Sequence, residues 1–230
     1  MTTDKKESAK KLTSRVLKTK VKAAHKKKAS SQRWMQRHLN DPYVVEAQKK
    51  GYRSRAAFKL LQLDEKTHLL KPGKLIIDLG CAPGGWTQIA SLKGAKVVGI
   101  DLLPMEPIKG AIIYQGDFTD PFLQQSIIES CARKVDVILS DMAPDTTGHK
   151  QTDHLRIMAL LEKVVAFAMN MLAPGGSLIM KTFQGGTEET LLKDIKRYFE
   201  KVKHVKPAAS RKESNEIYLV ALNFKGVLED

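Results

Sequence analysis

Asp78-Leu79-Gly80-Cys81-Ala82-Pro83-Gly84-Gly85-Trp86 follows the apolar run Leu75-Ile76-Ile77 and precedes an amphipathic stretch, so strand, glycine-rich loop and helix are expected in that order. Such a loop suits a nucleotide cofactor. Glycine lets the main chain approach a ligand closely, and the free N–H groups that open the next helix favour electron-rich groups. The spacing is neither G-x-G-x-x-G nor G-x-x-x-x-G-K-[ST], and no Lys follows to grip a phosphate. Instead, Asp78 opens the loop, Asp101 closes the run Lys96-Val97-Val98-Gly99-Ile100, and Asp117 follows Gln115-Gly116. Asp101 stands where a carboxylate can accept hydrogen bonds from both hydroxyls of a ribose. Three carboxylates without a phosphate clamp suit an adenosine that carries a cationic tail, which describes S-adenosylmethionine. A lone Asp more often caps a helix or a turn. Three of them at strand ends of one α/β unit lie where such folds bind ligands.

A second constellation emerges from the polar residues at later strand ends. Asp141 comes just after Val135-Asp136-Val137-Ile138-Leu139-Ser140, and Lys181 just after Leu178-Ile179-Met180. A Lys that closes a buried strand is unusual, because lysines are almost never buried without partners. Glu216 starts the run Ile217-Tyr218-Leu219-Val220-Ala221, and it reaches the same edge if that strand is antiparallel to its neighbours. Lys59, on a helix before the sheet, can reach over the top. Singly, each would be a surface ion-pair member. Together they make two cations and two anions beside a sulfonium.

The elements that must position these residues read as follows. A helix runs from Asp41-Pro42 to about Lys49, with Pro42 in its first turn. A second starts near Ser54 and carries Ala57, Leu60, Leu61 and Leu63, with Lys59 among them, until Leu69-Leu70 and the turn Lys71-Pro72-Gly73. Strand 75–78, helix 86–93, strands 96–100 and 111–115, helix 120–131 and strand 135–140 follow. Then come a long segment with Asp145, His149 and Asp153, helix 154–172 ending at Pro174-Gly175-Gly176, strand 177–182, helix 187–200, and strands 202–207 and 216–224. This alternation predicts an α/β, Rossmann-like fold, a mainly parallel sheet with helices on both faces and one antiparallel strand.

With 230 residues and 42% hydrophobic content the chain can bury one substantial core. No apolar stretch reaches the roughly 18 residues of a membrane span, and the start lacks a signal-peptide core, so a cytoplasmic protein is expected. Cys81 and Cys131 have no metal-ligand spacing, fit a reducing compartment, and no metal-ligand cluster is evident. The net charge is +14, and residues 1–37 hold 13 Lys or Arg against Asp4 and Glu7, which is +11 of it. Residues 1–30 are therefore read as a basic tail that would bind a polyanion through counterion release, and residues 31–230 as a single domain. Trp34, between Arg33 and Arg37, packs under the following helix or stacks a base.

The chain resembles the FtsJ/RrmJ-type ribosomal RNA 2′-O-ribose methyltransferases from about Ser30 to Phe224. The matching segments are Ser31-Gln32-Arg33-Trp34, Gly51-Tyr52-Arg53-Ser54-Arg55-Ala56-Ala57-Phe58-Lys59-Leu60, Asp78 to Trp86, Asp101-Leu102-Leu103-Pro104-Met105, Gly116-Asp117-Phe118, Ser140-Asp141-Met142-Ala143-Pro144, Lys181 and Ser214-Asn215-Glu216-Ile217-Tyr218. The resemblance implies a methyltransferase fold, S-adenosyl-L-methionine as cofactor, and a Lys-Asp-Lys-Glu tetrad at Lys59, Asp141, Lys181 and Glu216. It also implies cofactor contacts at Gly84, Trp86, Asp101, Asp117 and Asp141. The implied substrate is a uridine in 23S ribosomal RNA, met within the large ribosomal subunit. Two departures stand out: a shorter stretch between Trp86 and Asp101, and the Lys-rich start, which lies beyond the shared region.

Methyl transfer is an in-line displacement at a methyl already activated by sulfonium, so alignment and the management of one proton remain for the protein. A ribose hydroxyl is a poor nucleophile and must lose its proton as the bond forms. Lys181 either accepts or steers that proton, with Asp141 orienting the pair, or stays charged and stabilises a developing alkoxide. Glu216 holds a lysine or the ribose. Enzymes that methylate amino groups carry an aromatic beyond the position of Asp141, and Met142-Ala143-Pro144 supplies none. Related branches modify tRNA or mRNA caps, and a non-catalytic RNA-binding assembly factor would not need the tetrad.

Overall fold

The computed structural model describes residues 35, 36, 38–184 and 189–226. The expectations for the tail at 1–30, for Arg33, Trp34 and Arg37, and for the first turn of a helix starting at 187 lie outside the described residues. Helix α1 (Pro42–Lys49) begins as its sequence requires. Asp41 is extended and accepts a hydrogen bond from the Tyr43 N–H at 3.0 Å, and Pro42 sits in the first turn, where a missing N–H is harmless. Helix α2 (Ala56–Thr67) ends at His68, whose backbone is left-handed (φ 54°) and whose N–H returns to Asp64 O at 2.7 Å.

Strand β1 (Leu75–Leu79) is buried along its length, which explains why it reads as an apolar run rather than an alternating one. It leads into α3 (Gly85–Leu92), β2 (Lys96–Asp101), β3 (Ala111–Gln115), α4 (Pro121–Cys131) and β4 (Val135–Ser140). Helix α5 (Lys150–Met171), β5 (Leu172–Phe183), α6 (Glu189–Tyr198), β6 (Phe199–Val205) and β7 (Glu216–Phe224) complete the chain. The seven strands form one sheet in the order β3-β2-β1-β4-β5-β7-β6. β1 to β5 pair in parallel, and β7 runs antiparallel to both β5 and β6, so the mixed Rossmann-like sheet is as expected.

Period-two alternation sorts the core. Ile76, Val97, Leu139, Ile179 and Val220 face α2 and α3, with Leu60, Leu63 and Ile89 opposite them. Ile77, Leu79, Val98, Ile138 and Leu178 face the other way, onto Ile127, Val164, Ala168 and Ile195. No helix among the described residues is long and apolar enough to cross a membrane.

Three boundaries differ from the sequence reading. Helix α5 starts at Lys150, not 154, because the polar residues that hid its start build its cap. Asp153 accepts from the N–H groups of Thr147 (2.6 Å) and Gly148 (3.1 Å), and His149 Nδ1 from that of Thr152 (3.4 Å). Strand β5 starts at Leu172, before Pro174-Gly175-Gly176. Leu172 pairs with Val135 and Ser177 with Val137, so the Pro-Gly-Gly residues are accommodated as an irregularity inside the strand. Strand β6 starts at Phe199, not 202, since the Phe199 ring packs on Phe224 of β7 at 5.2 Å, a long-range partner that outweighs local helical preference.

Sheet order reverses between β1 and β4, and the crevice outside the carboxyl ends of the strands opens there. The loops after β1, β2, β3 and β4, the end of β5 and the start of β7 all meet on that edge.

Candidate active site

The structure brings Lys59, Asp141, Lys181 and Glu216 together at this edge. Lys59 projects from α2, and its Nζ lies 2.8 Å from Glu216 Oε1 and 3.5 Å from Asp141 Oδ2. Lys181 Nζ lies 3.2 Å from Asp141 Oδ1 and also donates to the Asp141 main-chain carbonyl. One carboxylate thus bridges two ammonium groups, one on each oxygen. All four side chains are largely buried. Burying two ion pairs is a poor way to gain stability, because desolvation consumes most of the Coulombic attraction. The value of the arrangement is that it holds charged groups at fixed positions.

Tyr218 completes the cluster and was not singled out from the sequence. It lies directly across β5–β7 from Lys181 and two residues after Glu216, so strand geometry places all three on one face. Its hydroxyl donates to Asp141 Oδ1 at 2.6 Å and lies 3.3 Å from Glu216 Oε1, and Lys59 Nζ sits 5.7 Å from the ring centre. Burial, with the Asp141 and Glu216 carboxylates adding, pushes the phenol far above its usual range, so it remains a donor. The signal was available: a buried Tyr in an aliphatic strand needs a partner for its hydroxyl. Ser210, which donates to Glu216 Oε1 at 2.8 Å, carried no such signal. Its loop is pinned to α2 by Gln62, which accepts from Ala209 N at 2.7 Å, and by Arg55, which donates to Ala209 O at 2.7 Å.

Arg55 also pairs with the buried Asp41 at 2.9 Å, and Arg211 approaches the same carboxylate at 3.7 Å. The N-cap of α1, the start of α2 and the loop before β7 are therefore tied at one point, which fixes Lys59 against Glu216.

The glycine loop lies on the other side of Asp141. Gly84 is left-handed (φ 104°), and a Cβ there would lie 2.8 Å from Ile108 Cδ1, so that position requires glycine. Gly84 offers no side chain to cap α3, and with the Thr87 main chain turned to Asp78 the N–H groups of Gly85 and Trp86 are left for an acceptor. The Trp86 ring is packed inside, its Nε1 donating to Ala56 O at 2.9 Å and its ring 5.6 Å from Tyr218, so any contact to a cofactor falls to its main chain. Asp101 accepts from Ala82 N and Leu103 N, both at 2.8 Å, one on each oxygen. Asp117 accepts from Thr119 N at 2.9 Å and Thr119 Oγ1 at 2.8 Å, and these bonds hold its carboxyl below the usual range. Both carboxylates thus also hold turns, and each keeps lone pairs for a ligand.

Asp78 is the exception. It is fully buried, accepts from Thr87 Oγ1 at 2.6 Å through Oδ2, and has no partner for Oδ1. Burial raises its pKa to about 7 against the pull of the Thr87 hydrogen bond, with Asp141 and Asp101 adding to the rise. An orphaned buried carboxylate beside two others fits a ligand that brings positive charge, and the glycine cradle fits a planar or sugar group, so the residues suit S-adenosylmethionine. Among the described residues no group of three or more His, Cys, Asp or Glu is placed to hold a metal ion. A cleft of about 470 Å³ lies at the opposite edge of the sheet, between Leu75, Val98, Ile112 and Arg133, and shares no residue with either constellation.

The profile of the FtsJ-like methyltransferases matches residues 52–224, which contain the glycine loop and all four tetrad residues. The chain belongs to this family. FtsJ-like relatives that align with nearly the whole chain include the ribosomal RNA large subunit methyltransferase E of Azorhizobium caulinodans, 54% identical over 218 residues, or 92% of this chain and 91% of the relative. The protein of that name from Maricaulis maris is 56% identical over 207 residues, 90% of this chain and 74% of the relative. A crystal structure of a Plasmodium falciparum protein described as a ribosomal RNA methyltransferase superposes with a TM-score of 0.69 at 35% identity. It covers 76% of this chain and 100% of its own. As an FtsJ-like protein, the chain is a methyltransferase.

Proposed function

We propose that this FtsJ-like enzyme methylates a ribose 2′-hydroxyl of large-subunit ribosomal RNA, a uridine by the resemblance of its motifs, in the cytoplasm and within the assembled particle. The observation that carries this reading is the Asp141 carboxylate bridging Lys59 and Lys181 beside the glycine loop. S-adenosylmethionine, when bound, supplies a methyl group already activated for displacement. Gly84, the main chain of Trp86, Asp101, Asp117 and Asp141 would hold it, with Asp78 countering its positive charge.

The other work falls to the tetrad. A ribose hydroxyl must shed its proton as it attacks, and Lys181 is the group placed to steer that proton or to stabilise the oxygen that loses it. Asp141 fixes Lys181 through its carboxylate and its carbonyl. Glu216 and Lys59 hold each other, and Ser210 and Tyr218 hold Glu216. Each catalytic side chain thus makes at least two polar contacts, those of Lys181 both to Asp141, and such over-determination keeps a reacting geometry within a fraction of an ångström. The basic residues 1–30 add sequence-independent grip on RNA in this reading.

Transfer of label from tritiated S-adenosylmethionine to large subunits lacking this methylation, followed by alkaline hydrolysis, tests the proposal. A ribose-methylated product resists cleavage at its 3′ side, a base-methylated one does not, and a non-catalytic binder takes up no label. Lys181→Ala should abolish transfer and leave cofactor binding largely intact. Turnover near the wild-type rate would overturn the role of Lys181.

A further inference from the structure

Arg53 precedes α2 and meets no carboxylate among the described residues. Its guanidinium instead donates to main-chain carbonyls on two segments: Nη1 to Glu106 O at 2.6 Å and Pro83 O at 3.3 Å, and Nη2 to Pro107 O at 2.7 Å. Pro83 belongs to the glycine loop, whereas Glu106 and Pro107 belong to the segment that leaves Asp101 at the end of β2. Arg53 is itself held from behind. Its N–H donates to Gln88 Oε1 at 2.9 Å, and Gln88 Nε2 donates to Gly51 O at 2.9 Å, so the strap 51–53 is fastened to α3, the helix that the glycine loop opens.

The contact is close. A Cβ on Gly84 would lie 3.0 Å from Arg53 Cδ and 3.1 Å from Arg53 Nη1, as well as 2.8 Å from Ile108 Cδ1. The other hydrogen bonds of the 102–108 segment lie at its ends, from Leu103 N to Asp101, from Gln115 Nε2 to Leu102 O and from Ala111 N to Ile108 O, with Cys81 Sγ 3.7 Å from Met105 Sδ, so Glu106 and Pro107 are held by Arg53. Pro104 and Pro107 lack N–H donors, and Leu102 and Leu103 are exposed. Three carbonyls of adjoining loops converge on one planar, always-charged fork, a geometry that an ammonium cannot reproduce.

We propose that Arg53 is a positioning residue for the cofactor site: it clasps the 102–108 segment onto the glycine loop and so holds Asp101 and Gly84 at the spacing that the adenosine end requires. The inference rests on the cofactor reading proposed above. Arg53 lies two residues from Arg55, which holds the loop before β7, so one short strap serves both halves of the active site.

Titration calorimetry with S-adenosylmethionine and with S-adenosylhomocysteine tests this on the full-length protein. Arg53→Ala should weaken both ligands by at least about tenfold, since even one lost charge-assisted hydrogen bond has that effect. It should raise the KM for the cofactor while kcat at saturating cofactor and the KM for RNA stay near wild type. Arg53→Lys, which keeps the charge without the fork, should recover only part of the affinity. Trypsin should cut at Lys109, beside the released segment, faster in Arg53→Ala than in the wild type, and bound ligand should slow that cut in the wild type. Unchanged ligand affinity in a folded Arg53→Ala, or a loss confined to the KM for RNA and its salt dependence, overturns the proposal. If Arg53→Ala does not fold, Arg53→Lys decides, and wild-type affinity there overturns it equally. Wild-type protein that binds neither ligand would instead refute the reading of S-adenosylmethionine as its cofactor.

Discussion

Asp78→Asn should make the ligand-free protein more stable at pH 8 and less able to bind its cofactor. The wild-type carboxyl is 1% exposed, meets only Thr87, through its hydroxyl and its main chain, and leaves Oδ1 without a partner. Burial holds its pKa at about 7 in the folded state, against roughly 3.9 in the unfolded chain. Between those values the native protein binds a proton that the unfolded chain has released. The stability from this group is therefore complete below about pH 4 and is lost as the pH rises through 7. A shift of about three units corresponds to on the order of 4 kcal/mol. For a chain of this length that is roughly 10 °C in Tm. Melting curves from pH 5 to 8 should show the wild type losing about two-thirds of this amount relative to Asp78→Asn, the remainder having been lost between pH 4 and 5, because the amide keeps the size and stays neutral throughout. A cationic ligand needs the ionised form, so cofactor affinity should rise with pH through 7 in the wild type and lose that dependence in the variant. Near pH 6, binding should release a proton, measurable as a difference in titration heat between buffers of different ionisation enthalpy. Parallel melting profiles for the two proteins would refute the argument that this buried carboxyl carries the pH dependence.

Tyr218→Phe removes a donor to a buried carboxylate and should cost about 1.5–3 kcal/mol in urea unfolding, with a fall in turnover; wild-type stability would show the hydroxyl to be dispensable. Asp41→Ala removes a helix cap and takes the carboxylate partner from the half-buried Arg55, so a loss of about 1–3 kcal/mol is expected by the same measurement. Gly80→Ala places a Cβ 2.1 Å from Met142 Cγ at a left-handed position, and a loss of about 1–3 kcal/mol together with slower transfer should follow from displacing Asp141's neighbour. Deleting residues 1–30 should weaken RNA binding and flatten its dependence on salt, read from binding isotherms at several salt concentrations, while cofactor affinity stays constant.

Most of the sheet could be read before its coordinates were known. β1, β2 and β4 begin and end within a residue or so of the apolar runs that define them, because strands covered on both faces must be apolar nearly throughout, and the half-covered edge strand β3 still follows its short run Ala111–Gln115. α1 and α4 were equally legible, each opening on Asp-Pro. The boundaries that moved depend on distant partners: Phe199 on Phe224, Leu172 on Val135 across a Pro-Gly-Gly irregularity, and Asp153 on amides five and six residues back. The tetrad lay between these cases. Asp141 and Lys181 could be placed from strand ends, and Glu216 from the assumption that its strand returns antiparallel. That Lys59 reaches the same point depends on how α2 crosses the sheet.

The sequence alone specified the kind of ligand site and the residues that could serve it, since glycine spacing, strand-end carboxylates and a lysine closing a buried strand are local patterns with local physical causes. Contacts between segments far apart in the chain set the geometry. Asp141 bridging two lysines, Tyr218 holding two carboxylates, Arg53 clasping two loops and Asp78 left with an orphaned oxygen all arise where the packing of helices on the sheet fixes distances. Hydrogen bonds and desolvation depend on those distances to within fractions of an ångström, and a one-dimensional pattern does not carry them.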